Sequence, residues 1–536
     1  MYQDNKIWIG TSGEEKVYIY PKMANRHGLI AGATGTGKTV TLKVMAESFS
    51  DCGVPVFLAD VKGDLAAMCK TGVENDNVNK RVEEMKLDEF GYGFKAYPTN
   101  YWDVYGEMGM PLRTTISEMG PLLLSQILDL NETQSDILTI IFKIADDEGL
   151  LLLDTKDLRS MIQYVSEHSK EYADEYGNMA KQSLAAITRA VVAMEAEGGD
   201  YFFGEPALSI TDWLCTDCNG KGMIQVLDCQ KLINSPTTYS MFMLWLMSEL
   251  FETLPEAGDR EKPKMVFFFD EAHLLFDNAS KTLLTKIEQV VKLIRSKGVG
   301  IYFITQNPQD IPDGVLGQLG NKVQHALRAY TPKEQKAAKA AAESFRENPD
   351  FDTFEVLTAL GTGEALISVL DEKGIPTVVK QCTILPPQSM MGPLDDTDRN
   401  YQVTNGMLYP KYSQVLDRES AYEMLEKKVA QEELEEQQEA EAAAAAKQQA
   451  KEEAAAAKKK AKEEEAARKA EEKAKEKKEK EKKSAMKKVA SSATGTIGRE
   501  VGNTIGNAIG GKFGKKLGGN IGAALGRGIL STLFKN

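Results

Sequence analysis

Eight residues constrain the fold of this chain more than any other feature: Gly32-Ala33-Thr34-Gly35-Thr36-Gly37-Lys38-Thr39. They match G-x-x-x-x-G-K-[ST] and lie between a short apolar run, Gly28 to Ala31, and a helical pattern from Val40 to Phe49. Strand, glycine loop and helix in that order form the context such a loop requires. The glycines let backbone N–H groups converge on phosphate oxygens, and the helix N-terminus adds partial positive charge. Lys38 is predicted to reach the β- and γ-phosphates of ATP, and Thr39 to place its hydroxyl on Mg²⁺. The alternative, a plain glycine turn before a helix, leaves the Lys-Thr pair without a purpose.

A second stretch, Met265-Val266-Phe267-Phe268-Phe269-Asp270-Glu271, reads as a buried strand ending in two carboxylates. Asp270 suits a Mg²⁺ contact through water, and Glu271 is placed to polarise an attacking water. The same pair would also serve as an N-cap for the next helix. Asp270 to His273 spells Asp-Glu-Ala-His, the signature of a helicase class that the rest of the chain does not support. Lys38 and Asp270 are too far apart, and no later Ser-Ala-Thr or Gln-x-x-Gly-Arg-x-Gly-Arg follows. His273 is predicted in the first turn of a helix, with no chemistry.

Around these motifs the chain reads as α/β, with a mainly parallel sheet of the P-loop NTPase kind. Val56 to Asp60, Gly222 to Asp228, Met265 to Phe269 and Val299 to Thr305 are short continuous apolar runs, which suit strands buried on both faces. Ile7 to Ile9 with Val17 to Tyr20, and Glu364 to Leu370 with Thr377 to Leu385, predict hairpins. Thr331-Pro332-Lys333-Glu334 predicts a helix start with a capping box. The predicted organisation has six parts. Residues 1–110 carry the N-terminal hairpin and the phosphate-loop half of the core. Residues 111–221 are a helical insertion, and residues 222–390 hold the half with the paired carboxylates. A linker, 391–416, leads to a charged Ala/Glu/Lys helix, 417–490, and a basic glycine-repeat segment, 491–536.

The formal net charge of −14 argues against a coat-like nucleic-acid binder but leaves room for a local basic channel. Residues 417–490 carry about twenty charges of each sign, and residues 491–536 about five net positive charges, so the head holds about −19. No Leu, Ile, Val or aromatic residue occurs between Glu435 and Lys488, so the seam of a coiled coil is missing. Pairs such as Glu464/Arg468, Glu465/Lys469, Glu471/Lys475 and Glu479/Lys483 suit a solvated single helix. A partly disordered charged spacer is the alternative. From Gly498 to Gly526 glycine recurs every fourth residue beside an apolar stripe and several cations. That pattern suits an anionic membrane surface or close helix contact; flexible disorder is the alternative. Cys215-x-x-Cys218 lacks the further ligands of a zinc site. The amino-terminal residues show no signal-peptide pattern and no window is a membrane span, which predicts a cytoplasmic protein, peripheral at the membrane if the tail binds there.

Taken together, the loop Gly32 to Thr39, the stretch Asp60-Val61-Lys62-Gly63-Asp64, Asp270-Glu271, Ile304-Thr305-Gln306, Ala326-Leu327-Arg328 and Gly363-Glu364-Ala365-Leu366 resemble the HerA-like branch of the HerA/FtsK ATPases. The likeness covers residues 20 to 390 and comes nearest to a bacterial subfamily of the YjgR type. The resemblance implies a RecA/FtsK-like core and a homo-oligomeric ring, a hexamer, that hydrolyses ATP as a translocase or helicase on double-stranded DNA. It gives Gln306 the role of γ-phosphate sensor and Arg328 that of a finger into the neighbouring subunit, with Arg295 a weaker candidate. About 27 residues precede the strand that feeds the loop, too few for the β-barrel of archaeal HerA, which puts that barrel's nuclease partner in doubt. A different class of function, a membrane-associated assembly protein switched by ATP, is favoured by the spacer and the glycine-striped end.

Overall fold

The computed structural model describes residues 1–258, 260–277 and 281–483. In chain order the strands are β1 (Tyr2–Gln3), β2 (Lys6–Ser12), β3 (Glu15–Ile19), β4 (Gly28–Ala31), β5 (Val56–Asp60), β6 (Thr99–Asp103), β7 (Met110–Pro111), β8 (Ile224–Asp228), β9 (Met265–Phe269), β10 (Val299–Thr305), β11 (Asn321–His325), β12 (Glu364–Ser368) and β13 (Lys380–Ile384). They form one sheet in the order β1-β2-β13-β12-β11-β4-β10-β9-β5-β8-β6-β7, with β3 paired to β2. From β11 to β7 every pairing is parallel. The antiparallel β12, β13 and β2 close one side.

The continuous apolar runs divide by alternation between two cores. Leu29, Phe57, Phe267 and Phe303 belong to one cluster; Ile30, Leu58, Phe268 and Ile304 belong to the other. Successive side chains of a strand point to opposite faces, so a strand covered on both sides must be apolar throughout. One face receives Leu42, Met45 and Phe49 of helix Lys38–Asp51. The other receives helices Pro236–Thr253 and Lys281–Ile294 and the helices between Ile116 and Trp213. Trp213 stacks on Phe57 with ring centroids 5.1 Å apart. The capping box at Thr331 forms, with the Thr331 hydroxyl accepting from the Glu334 N–H.

Met1 to Glu435 is one compact unit, so the boundaries expected at 110, 221 and 390 do not separate independent bodies. The linker expected over 391–416 is a correction. It contains helices Asp396–Thr404 and Tyr409–Tyr412, which pack on the head. Arg399 is buried and donates to Asp228 at 2.8 Å. Tyr412 is fully buried, 5.1 Å from the Trp102 ring. Just before it, Glu47 on helix Lys38–Asp51 accepts from the Gln388 and Ser389 amides at 2.9 Å each, and Lys43 donates to the Met390 carbonyl at 2.6 Å. The segment looked like a linker because its anchors are a few isolated side chains, one of them an arginine, without periodicity.

Helix Ala421–Lys483 runs for 63 residues. Its first turns belong to the head: Ala421 and Leu425 are buried, and the Ser420 hydroxyl before it donates to Asp157 at 2.6 Å. The spacer expected from residue 417 therefore starts later. From Glu436 every described side chain is exposed, with ion pairs Lys469–Glu465 at 2.6 Å and Lys475–Glu471 at 3.6 Å. The glycine-repeat segment, 491–536, lies outside the described residues.

Candidate active site

The phosphate loop is held by three strands other than its own. Gly32 donates to the Thr305 carbonyl at the end of β10 at 3.2 Å, and Ala33 to the Ala326 carbonyl beyond β11 at 2.9 Å. The Thr36 carbonyl accepts from Gly363, just before β12, at 2.9 Å. Close approach accounts for two of the glycines. A Cβ on Gly32 would lie 2.5 Å from the Cβ of His325, and one on Gly37 would lie 3.2 Å from Gly363. Gly37 also has φ +115, a backbone conformation other residues adopt only with strain. Under the loop, His325 is buried, bonded to the Thr41 hydroxyl and the Glu364 carbonyl at 2.8 Å each. Burial pushes its imidazole down to about 4, so it is neutral at pH 7.

Lys38 is buried, its ammonium donating to the loop carbonyls of Gly32 at 2.6 Å and Ala33 at 3.1 Å. Burial lowers its pKa; an anion in the loop would offset that cost. Thr39 is half-buried one residue further on. Thr34 and Gly35 are exposed at the tip of the loop.

Because β10 lies between β4 and β9, the tips of all three meet. Asp270 ends β9, buried, and accepts from the Glu271 amide at 2.9 Å. Burial and the neighbouring Glu271 raise its carboxyl to about 6. Glu271 has φ +47, an uncommon conformation for a side-chain-bearing residue. Its carboxylate accepts from Lys62 at 2.6 Å and from Gln306 at 3.4 Å, and lies 3.4 Å from His273 Nδ1. Burial alone would raise its pKa, but the Lys62 bond and charge outweigh this, with smaller help from Gln306 and His273, and hold it low. Glu271 is therefore ionised, buried and aimed by three neighbours.

Arg328 is exposed, two residues beyond the carbonyl of Ala326 that bonds the loop. Arg295 stands in the turn Arg295–Lys297 that precedes β10, at the opposite end of that strand from Gln306, and is not brought to this site. Sequence reasoning missed three members. Lys62 was noted without a role, His273 was set aside, and His325 was not singled out; their partners are remote in sequence or depend on an unusual backbone angle. Among the described residues no three or more His, Cys, Asp or Glu side chains gather as they would around a metal, at Cys215 and Cys218 or elsewhere.

A profile of the family described as helicase HerA-like C-terminal matches residues 5–516. The chain belongs to that family. A DNA double-strand break repair helicase HerA from Sulfurisphaera tokodaii is 21% identical over 408 residues, covering 75% of this chain and 72% of the relative. A probable helicase from Methanocaldococcus jannaschii is 31% identical over 363 residues, 67% of this chain and 63% of that protein. Among solved structures, the bacterial conjugative coupling protein TrwB covers 73% of this chain and 93% of its own, with TM-score 0.48 and 13% identity. The protein is an ATP-hydrolysing motor enzyme of the HerA/FtsK type. No helix among the described residues is long and apolar enough to cross a membrane.

Proposed function

We propose that this enzyme is a Mg²⁺-dependent ATPase that works as a ring of identical subunits, a hexamer, and translocates on double-stranded DNA. The observation that supports the chemistry best is the convergence of Lys62, Gln306 and His273 on Glu271, beside Lys38. The DNA part rests on relatives named as DNA repair helicases.

In this reading the loop amides and Lys38 bind the phosphates, with Lys38 exchanging the Gly32 and Ala33 carbonyls for phosphate oxygens. Thr39 and Asp270 would hold the metal, which neutralises charge on the terminal phosphates. A site with few protein ligands suits a cation carried largely by nucleotide and water. Glu271 takes a proton from the attacking water, for which an ionised carboxylate is needed. Gln306, which donates to Glu271 at 3.4 Å, would couple Glu271 to the γ-phosphate. Lys62 is a positioning residue that keeps Glu271 charged and fixed. Arg328, exposed next to the loop, completes the site of a neighbouring subunit.

The experiment is multiple-turnover ATP hydrolysis with and without duplex DNA, together with mixing of Arg328→Ala and Lys38→Ala subunits. DNA stimulation and partial rescue on mixing are expected. Absence of stimulation removes the DNA part; absence of rescue in co-assembled rings removes the trans role. A second reading, ATP-switched assembly at an anionic membrane, rests on the basic glycine-repeat segment 491–536. Hydrolysis that responds to anionic vesicles but not to DNA would favour it.

A further inference from the structure

A cleft opens at the end of the sheet where the central strands β4 and β10 begin, opposite the phosphate loop. It has a volume of about 620 Å³ and is lined by Lys22, Arg26, Arg260, Lys292, Arg295 and Lys373. The only carboxylates on its wall among the described residues are Glu256 and Glu372. The cations come from separate stretches: the turn before β4, the loop before β9, the end of helix Lys281–Ile294 with the turn after it, and the β12–β13 turn. Chain folding, not a local charge run, gathers them.

This concentration is out of place in a chain of net charge −14. Solubility does not require it, since the acidic surface already supplies charge. Glu256 and Glu372 share the wall with the six cations, and Glu256 also pairs with Lys297 at 3.2 Å. Lys22 and Glu261 are 4.0 Å apart and both exposed, a geometry of small value.

We infer that this cleft binds the phosphodiester backbone of duplex DNA; the inference rests on the DNA part of the proposed function and adds the surface that makes the contact. Long cations lining the cleft suit a polymer that carries one negative charge per about 1.7 Å of axis. They give register and affinity without reading bases. A lipid surface fits less well, because the one large apolar side chain on the wall, Met23, is buried and cannot insert. The location also supplies a physical connection. β4 starts two residues after Arg26 and ends on the phosphate loop; β10 starts two residues after Lys297 and ends at Gln306. Buried His27, at the cleft end of β4, accepts from the Ile301 amide at 3.0 Å and bonds the Val291 carbonyl at 2.9 Å. It ties helix Lys281–Ile294 to both strands.

The test uses the full chain, a labelled 30-base-pair duplex and the triple variant Arg260→Gln/Lys292→Gln/Lys373→Gln. In the wild type, log affinity should fall steeply with log salt. In the variant that slope should flatten by about three, roughly one per lost phosphate contact, and DNA stimulation of hydrolysis should disappear. DNA-free hydrolysis should not change, which also verifies the fold. A control with as many charges removed elsewhere, Lys143→Gln/Lys170→Gln/Lys336→Gln, should keep the wild-type slope. If the wild type binds duplex and the triple variant binds it equally at every salt concentration, the cleft assignment is wrong while the DNA reading stands. If the wild type does not bind duplex at low salt, the DNA reading itself fails. Loss of binding to anionic vesicles with DNA binding intact would also overturn the assignment.

Discussion

Between Met1 and Glu435 the chain buries all four tryptophans and a row of carboxylates at the strand tips; from Glu436 to the end of the described helix every described side chain meets solvent. The head is held by two apolar cores, one on each face of its sheet. The helix beyond Glu436 relies on helix-forming alanines and on exposed ion pairs four residues apart, each worth about 0.3–0.5 kcal/mol. The difference shows where chemistry can be placed. Among the described residues only the head has a low-dielectric environment that can move a carboxyl from its ordinary range, as burial and Glu271 do to Asp270. An exposed, uniform helix can set a distance but cannot tune a proton.

If that division is right, substitutions in the head should abolish turnover and removal of the exposed helix should leave it nearly intact. The largest effect is expected for Lys38→Ala, which removes the ammonium now resting on Gly32 and Ala33. Hydrolysis should fall by more than about 10³-fold, the scale of a lost phosphate-end cation, with weaker ATP binding in a titration. Glu271→Gln comes next. It should bind ATP normally while turnover falls about 10²- to 10⁴-fold, the usual contribution of a general base. Near-wild-type turnover would remove Glu271 as the base.

Lys62→Met should lower kcat by about tenfold or more with ATP affinity nearly unchanged, the loss of one charge-assisted bond of roughly 1.5–3 kcal/mol. In a Glu271→Gln background it should add little, because residues that act through one another are not additive. Independent, multiplying effects would mean that Lys62 acts on nucleotide directly.

Arg399→Met tests the boundary of the head. It leaves the Asp228 carboxylate buried without its cation, a loss of about 3–5 kcal/mol, read as a lower denaturation midpoint. Unchanged stability would restore 391–416 to linker status. The smallest effect is expected for deletion of residues 436–536, with basal hydrolysis within about twofold, since the residues of the candidate site all lie in the head. A larger loss would break the comparison.

Much of this division was legible in the sequence, for physical reasons that differ by element. The glycine loop was legible because close approach and left-handed backbone leave few alternatives at Gly32 and Gly37. The central strands were legible because burial on both faces demands unbroken apolar runs. Capping at Thr331 is a contact over three residues, within reach of local pattern. What was not legible depends on pairing across the chain. Lys62 meets Glu271 across 209 residues, and Arg399 meets Asp228 across 171. Neither pair leaves a local trace, and a buried arginine looks from sequence like a solvated one.

The clasp formed by Glu47 and Lys43 on Gln388 to Met390, followed by Arg399 on Asp228, has a consequence for synthesis. A nascent chain has made every residue of the candidate site by Arg328, yet Glu47 and Asp228 then lack the partners that arrive some sixty to seventy residues later. Until that stretch emerges, two carboxylates must either stay hydrated or be buried at high cost. A product truncated there would hold the site's functional side chains yet lack these partners of Glu47 and Asp228. The clasp thus ties the stability of the head to residues that lie beyond the last of the site's functional side chains.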